Sequence, residues 1–444
     1  AAEVARVLDE EFPLHGLVTR PQLVIRDTAD REGGVVGWLR WGERVRLKEE
    51  PTHAPRCASG WYAVAPQGWV CAGQGVTVAP EPPESESPPV PPARREDILP
   101  YDYFFVKEPM TAQYHQLPSR SQQRAAGTFG TRYLAILDRD EGRAARMLRG
   151  ELPGEPTPPA GVERFLNHAF FIAGTDVQTR SERRFLRTPG GGFVKVSRLE
   201  QRRGTEFQGV DLAETELPIA WVLRDAHPRI HRIRDDEHRF VRDMEAEIIP
   251  RQTIVTELWQ ARERIGDEFY HRLESPDWEG TRYVRDWFIG VAEAIEPPFA
   301  VEPEEPWVHI SLRTQTLVVY RGERPVFATL VSTGLTDHDT PVGTFRIHKK
   351  MVTDTMANLG PDAGDDSYRI QDVPWTQYFQ GSFALHAAFW HHRFGLQRSH
   401  GCVNLSPADA HRVFQETWPP IPEGWHGVST RDTDFPASRV HVTR

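Results

Sequence analysis

The stretch WVHISLRTQTLVVYRGERPVFATLVSTG, residues 307–334, decides how the fold is read. Apolar and polar residues alternate with a period of two through 316–320 and 326–333, which places successive side chains on opposite faces of a strand and predicts three strands. Downstream come TPVGTFRIHKK (340–350), a long polar stretch at 353–371, and the apolar strand SFALHAAFW (382–390) that carries His386. Helix is expected mainly after Pro407. There SPADAHRVFQETW (406–418) supplies Ser406 as N-cap, a proline in the first turn, and apolar spacing at Ala410, Val413 and Phe414. The expected class is mainly β, with short helices.

Upstream, three proline-rich breaks divide the 444 residues. Between 80 and 92, seven of thirteen residues are proline; the others are GELPGEPTPPAG (150–161) and EPPFAVEPEEP (296–306). The segments between them are short and β-like, as in VVGWLRWGERVRL (35–47) and GWYAVAPQGWV (60–70). An aromatic-rich strand, a glycine turn and a closing Trp-Val resemble bacterial Src-homology-3-like (SH3-like) domains, with looser echoes at 192–199 and 267–289. The expected layout is an SH3-like domain at 14–80 and a Pro-rich linker at 81–98. A second SH3-like domain with loop insertions follows at 99–212, then a third at 213–298 with a helical insertion around 239–254. The catalytic domain is placed at 299–444. Small barrels of this kind either position an enzyme on wall polymer or act as spacers.

Composition narrows the function classes. Hydrophobic residues at 39% and charged residues at 26% are ordinary globular values, and 13 tryptophans argue against disorder. The net charge of -10 arises from 63 acids and 53 bases that are interspersed, so no basic stripe awaits nucleic acid. No run approaches the roughly 18 apolar residues of a membrane span. The chain opens on AAEVARVLDEEF without a methionine or an apolar signal core, so an export signal was removed or was never present. Of three cysteines, Cys57 and Cys71 bracket a predicted strand-turn-strand. They form either a disulfide, which would report an oxidising compartment, or two buried thiols. Cys402 stands apart.

The densest chemistry is Ser399-His400-Gly401-Cys402-Val403-Asn404, preceded by His386. Only the thiolate is strongly nucleophilic, and at a free pKa of about 8.5 it is scarce at neutral pH. An imidazole that accepts the proton raises the reactive fraction, and His386 and His400 are the candidates. Gly401 lets the backbone turn tightly, and amides of such a turn can face a developing oxyanion. Zinc is the competing reading, since His386, His391, His392, His400 and Cys402 are five possible ligands within 17 residues. The absence of HExxH or paired CxxC spacing argues against it, so no metal is expected.

This arrangement resembles the signature of the L,D-transpeptidase catalytic domain: a histidine followed by Ser/Thr-His-Gly-Cys, a hydrophobic residue and Asn or Arg. Twelve residues separate His386 from Ser399, Trp390 lies four after the histidine, and TPVGTF and ATLVSTG also match. The resemblance covers roughly 307–428 and implies a C-terminal L,D-transpeptidase β-sandwich. It makes Cys402 the nucleophile and His386 the base, while His400, Ser399, Gly401 and Asn404 shape the nucleophile loop and oxyanion site. Ala387 stands where members often carry Gly or Ser; its carbonyl, not its side chain, would orient the imidazole. The polar stretch before His386 corresponds to a flap over the substrate, placing Tyr368 near the site with Trp390 as a second pocket residue. The acidic PDAGDD at 361–366 reads as a solvated loop. Trp375, Tyr378 and Phe383 either line the donor pocket or pack.

The implied reaction joins peptidoglycan stem peptides, a tetrapeptide donor and an amine acceptor, through a Cys402 thioester and without a cofactor. A lysine of an envelope protein or water are alternative acceptors, giving tethering or carboxypeptidase activity. The implied location is the periplasm or cell envelope. A different class, a wall-binding scaffold with a degenerate catalytic domain, predicts that losing Cys402 changes nothing.

Overall fold

The computed structural model describes residues 10–54, 56–84, 90–168, 170–234, 237–358, 368–431 and 433–444. The acidic 361–366 segment and part of the Pro-rich linker, 85–89, fall outside them. No helix among the described residues is long and apolar enough to cross a membrane. The chain divides into two units. One comprises Ala1–Arg203, Met351–Pro374 and Ile421–Thr433; the other comprises Gly204–Lys350, Trp375–Pro420 and Asp434–Arg444.

In the first unit, Leu14–Val18 lies between Arg44–Leu47 and Val76–Ala79, antiparallel to both. Gln22–Arg26 pairs with Val35–Arg40, and Trp61–Ala63 with Trp69–Cys71. This last hairpin brings the two cysteines together, and Cys57 is bonded to Cys71 across a Cα separation of 5.9 Å. Val35–Arg40 pairs on its other edge with Gly427–Ser429, where Gly37 opposes Val428. Only glycine fits there: a Cβ on Gly37 would stand 2.3 Å from the fully buried Trp425 ring.

A second group in this unit is a five-stranded sheet in the order Val162–Leu166, Thr111–Tyr114, Phe193–Lys195, Arg183–Arg187, Asp176–Arg180. Helices Arg120–Leu137 and Glu141–Leu148 accompany it. Ser119 caps the first in a reciprocal box with Gln122. Phe129, Ile136, Ala144 and Met147 pack with Met110 as its core. The sequence reading placed a second SH3-like domain with loop insertions here and no helix.

The second unit is built on a six-stranded sheet ordered Val210–Asp211, Arg324–Leu330, Thr316–Arg321, Pro306–Ser311, Arg439–Thr443, Gly343–Arg346. Pro306–Ser311 and Arg439–Thr443 run parallel, and the remaining neighbours are antiparallel. Trp307 stacks on Tyr320 at 4.1 Å in a core that includes Trp221, Val318, Leu330 and Phe394. The helix Pro407–Glu416 starts at the expected Ser406 cap, whose hydroxyl accepts from the Asp409 N–H at 3.1 Å.

One expectation is corrected. The helical insertion around 239–254 is not helix: Glu237–Arg242 is a strand paired with Arg229–Arg234, with Phe240 opposite and stacked on His231. That cross-strand aromatic contact favours the extended form. The polar stretch at 353–371 is largely strand where described, within Lys349–Asn358 and Tyr368–Gln380. Tyr368 opens the latter strand and lies in the first unit.

Candidate active site

His386 sits in the strand Phe383–Ala387, and Cys402 immediately precedes the strand Val403–Leu405. The two strands are parallel neighbours, with Leu385 opposite Val403 and His386 opposite Asn404. The fifteen residues that separate His386 from Cys402 in the sequence thus collapse to neighbouring strands of one sheet. His386 is 2% exposed, and its Nδ1 lies 3.1 Å from the Ala387 carbonyl. A carbonyl only accepts, so Nδ1 carries the proton and Nε2 presents a lone pair. The ring stacks on Trp390 at 5.7 Å.

Cys402 is half-buried. Its thiol lies 3.8 Å from the Ser382 carbonyl. Burial pushes the thiol up to about 11, opposed by a hydrogen bond from the Ala384 backbone N–H. Burial pulls His386 the other way, down to about 4, opposed by its bond to Ala387. Both groups are therefore neutral at pH 7. This differs from the thiolate enrichment expected from the sequence, because an apolar setting disfavours both charged forms.

The nucleophile loop is held from inside. Ser399 Oγ accepts from the Gly401 N–H at 3.1 Å and donates to the Cys402 carbonyl at 2.5 Å. The Thr340 hydroxyl donates to the Gly401 carbonyl at 2.8 Å and accepts from the Gly334 N–H at 3.0 Å. Gly401 has φ +104°, and a Cβ there would stand 2.2 Å from the Phe383 ring. Both the backbone conformation and the space require glycine. His400 is exposed, its ring 4.6 Å from that of His338.

The family model for the L,D-transpeptidase catalytic domain matches residues 305–421. That region is an L,D-transpeptidase catalytic domain. Among solved structures, an Enterococcus faecium L,D-transpeptidase is 17% identical, over 32% of this chain and 50% of that one, with a TM-score of 0.25. An L,D-transpeptidase from Mycobacterium smegmatis is 18% identical over 40% and 90% of the respective chains, TM-score 0.26. L,D-transpeptidase 3 from Mycobacterium tuberculosis is 17% identical over 42% and 79%, TM-score 0.26. The chain thus spans half the length of the Enterococcus structure. No curated protein matches it.

Within the transpeptidase domain, Asn404 exchanges backbone bonds with Ser332, at 2.9 Å in each direction. Its side-chain amide lies 3.1 Å from His391 Nε2. His391 Nδ1 accepts from the Arg393 N–H at 3.3 Å, so Nε2 bears the proton. The amide therefore turns its oxygen to His391, which gives a partner to a buried oxygen that otherwise has none. Burial lowers His391 to about 3, with Arg398 adding to the shift. The sequence reading weighed His391 only as a zinc ligand and passed over Thr340. Thr340 had a signal, since it opens the TPVGTF run; His391 had none beyond its proximity to His386.

Proposed function

We propose that this chain is a peptidoglycan L,D-transpeptidase of the periplasm or cell envelope, with Cys402 as nucleophile and His386 as base. One observation carries the reading: a buried neutral imidazole, its Nδ1 tied to Ala387, on the strand beside the one that Cys402 leads. The thiol gives its proton to His386 Nε2 as sulfur attacks the carbonyl carbon of the third, diamino acid residue of a tetrapeptide stem. The C–N bond to the terminal D-alanine breaks, and the departing amine takes the proton from His386. The side-chain amine of a second stem then attacks the thioester. It loses its proton to His386, the C–S bond breaks, and the sulfur recovers the proton. The loop of Ser399, His400, Gly401 and Asn404 fixes the sulfur's position throughout, and Trp390 backs the imidazole. The SH3-like reading of the N-terminal sheets supplies attachment to the wall.

The test incubates the protein, beside its Cys402→Ala variant, with disaccharide-tetrapeptide and reads products by mass spectrometry. A dimer short of one D-alanine, absent with the variant, is expected. Tripeptide without dimer identifies water as the acceptor, and no product from either protein overturns the reading in favour of a scaffold.

A further inference from the structure

Residues 312–315 turn the chain from the strand Pro306–Ser311 into its antiparallel neighbour Thr316–Arg321. Gln315 closes that turn with φ +54°, in the left-handed region that glycine enters freely and long side chains seldom adopt. It is also only 4% exposed, although glutamine is ordinarily a surface residue. Neither the backbone nor burial favours glutamine at this position. What it adds there is its amide.

Both hydrogens and the oxygen of that amide are spent. Nε2 donates to the Thr333 hydroxyl at 2.6 Å and to the Leu312 carbonyl at 2.8 Å, and Oε1 accepts from the Thr333 N–H at 2.9 Å. Thr333 is thus gripped at two points, and it carries the nucleophile loop. Its carbonyl accepts from the N–H groups of Arg398, at 2.9 Å, and Ser399, at 3.0 Å. Ser399 Oγ then spans the Gly401 N–H and the Cys402 carbonyl. Three links run from a hairpin turn to the nucleophile: the Gln315 amide to Thr333, the Thr333 carbonyl to Ser399, and the Ser399 hydroxyl to Cys402.

We infer that Gln315 is a positioning residue for the transpeptidation: by locking Thr333 it fixes the Cys402 sulfur against the His386 imidazole. The inference rests on the reading of Cys402 and His386 given above. Without the grip, residues 398–402 can shift while the sheet stays folded. A displacement of about 1 Å from the productive geometry costs on the order of a hundredfold in rate. Donor binding, which Gln315 does not touch, is spared.

The experiment uses the full chain with Gln315→Gly, which relieves the backbone and removes the amide, and with Gln315→Asn, which tolerates the same φ but is one methylene too short to make both bonds. On soluble disaccharide-tetrapeptide, kcat should fall about ten- to a hundredfold while KM stays within about twofold. By hydrogen-exchange mass spectrometry, peptides covering 396–403 should exchange faster, while those covering Pro407–Glu416 keep their protection. Thr333→Val, which deletes the accepting hydroxyl, should lower kcat likewise, and Thr333→Ser, which keeps one, should recover most of the loss. A folded Gln315→Gly protein with parental kcat, a rise in KM alone, or unchanged exchange at 396–403 overturns the proposal. If the Gln315 variants do not fold, the Thr333→Val and Thr333→Ser pair decides, and equal kcat in the two overturns it. If the parent itself gives no turnover, the transpeptidase reading falls, while exchange still decides whether Gln315 holds the loop.

Discussion

At Cys402 and His386, burial sets the resting charge state. With the thiol pushed up to about 11, roughly one molecule in 10⁴ carries thiolate at pH 7. The proton must then leave during attack, not before it, and His386 is suited to take it because its depressed value keeps it neutral. The acid limb of kcat/KM should follow His386 and fall only as pH drops through about 4; the alkaline limb should follow Cys402 near 11. Alkylation of Cys402 by iodoacetamide should accordingly be slow at pH 7 and rise about tenfold per pH unit up to pH 10. A rate already flat by pH 7 would instead signal a preformed thiolate-imidazolium pair. The sequence exposed this site because Ser399 to Asn404 are contiguous and chemically distinctive. It did not expose the charge state, which depends on residues such as Ala384 and Ala387 that carry no chemical signature.

At the scale of elements, alternation misleads on one point. Period-two alternation ordinarily marks a strand with one wet face. Yet Thr316, Thr329, Ser332 and Thr333 are all buried. Their polar groups are spent internally: Gln315 bonds Thr333 through both its amide atoms, and Thr329 donates to Asp409 at 2.5 Å. The helix Pro407–Glu416 was legible from its cap and proline. The helix Arg120–Leu137 was not, since Gly127 and Gly130 weaken its propensity and its apolar stripe is thin. Asp409, in the first turn of Pro407–Glu416, ties that helix to Thr329 and to the Gly209 N–H at 2.8 Å. Burial raises its carboxyl from 3.8 to about 6, opposed by those hydrogen bonds. The native state holds this proton more tightly than the unfolded chain does. Its stabilising contribution is therefore complete below about pH 4 and lost as pH rises through about 6, amounting to about 3 kcal/mol at most. Asp409→Asn keeps the shape and cannot titrate. Urea unfolding from pH 4 to 7 should show the parent gaining on the variant as pH falls; parallel curves would exclude Asp409 as the source.

For the whole molecule, the match at 305–421 suggests a self-contained domain, and the packing does not follow that boundary. Met351–Pro374 and Ile421–Thr433 belong to the same unit as Ala1–Arg203. The guanidinium of Arg40 pairs with Asp372, which is 5% exposed and also accepts from Thr353 at 3.2 Å. His426 lies between Glu43, at 3.2 Å, and the Thr353 hydroxyl, at 3.0 Å. The Trp425 indole donates to the Ala65 carbonyl at 2.8 Å. Even the described end of the Pro-rich segment is packed, with Val90 3% exposed and Arg95 bonded to the Pro422 carbonyl at 3.2 Å. None of this was legible, because Arg40 and Asp372 are 332 positions apart and neither belongs to a motif. A fragment of residues 299–444 would expose the Trp425 ring and leave Asp372 and His426 without Arg40 and Glu43. Removing one partner of a buried ion pair alone costs about 3–5 kcal/mol, comparable to the whole stability of many domains. The fragment should therefore lack a cooperative thermal transition in calorimetry, and Arg40→Met in the full chain should lower stability by that amount. A fragment that melts cooperatively within a few degrees of the full chain, beside an Arg40→Met protein of unchanged Tm, would show that the transpeptidase domain stands alone.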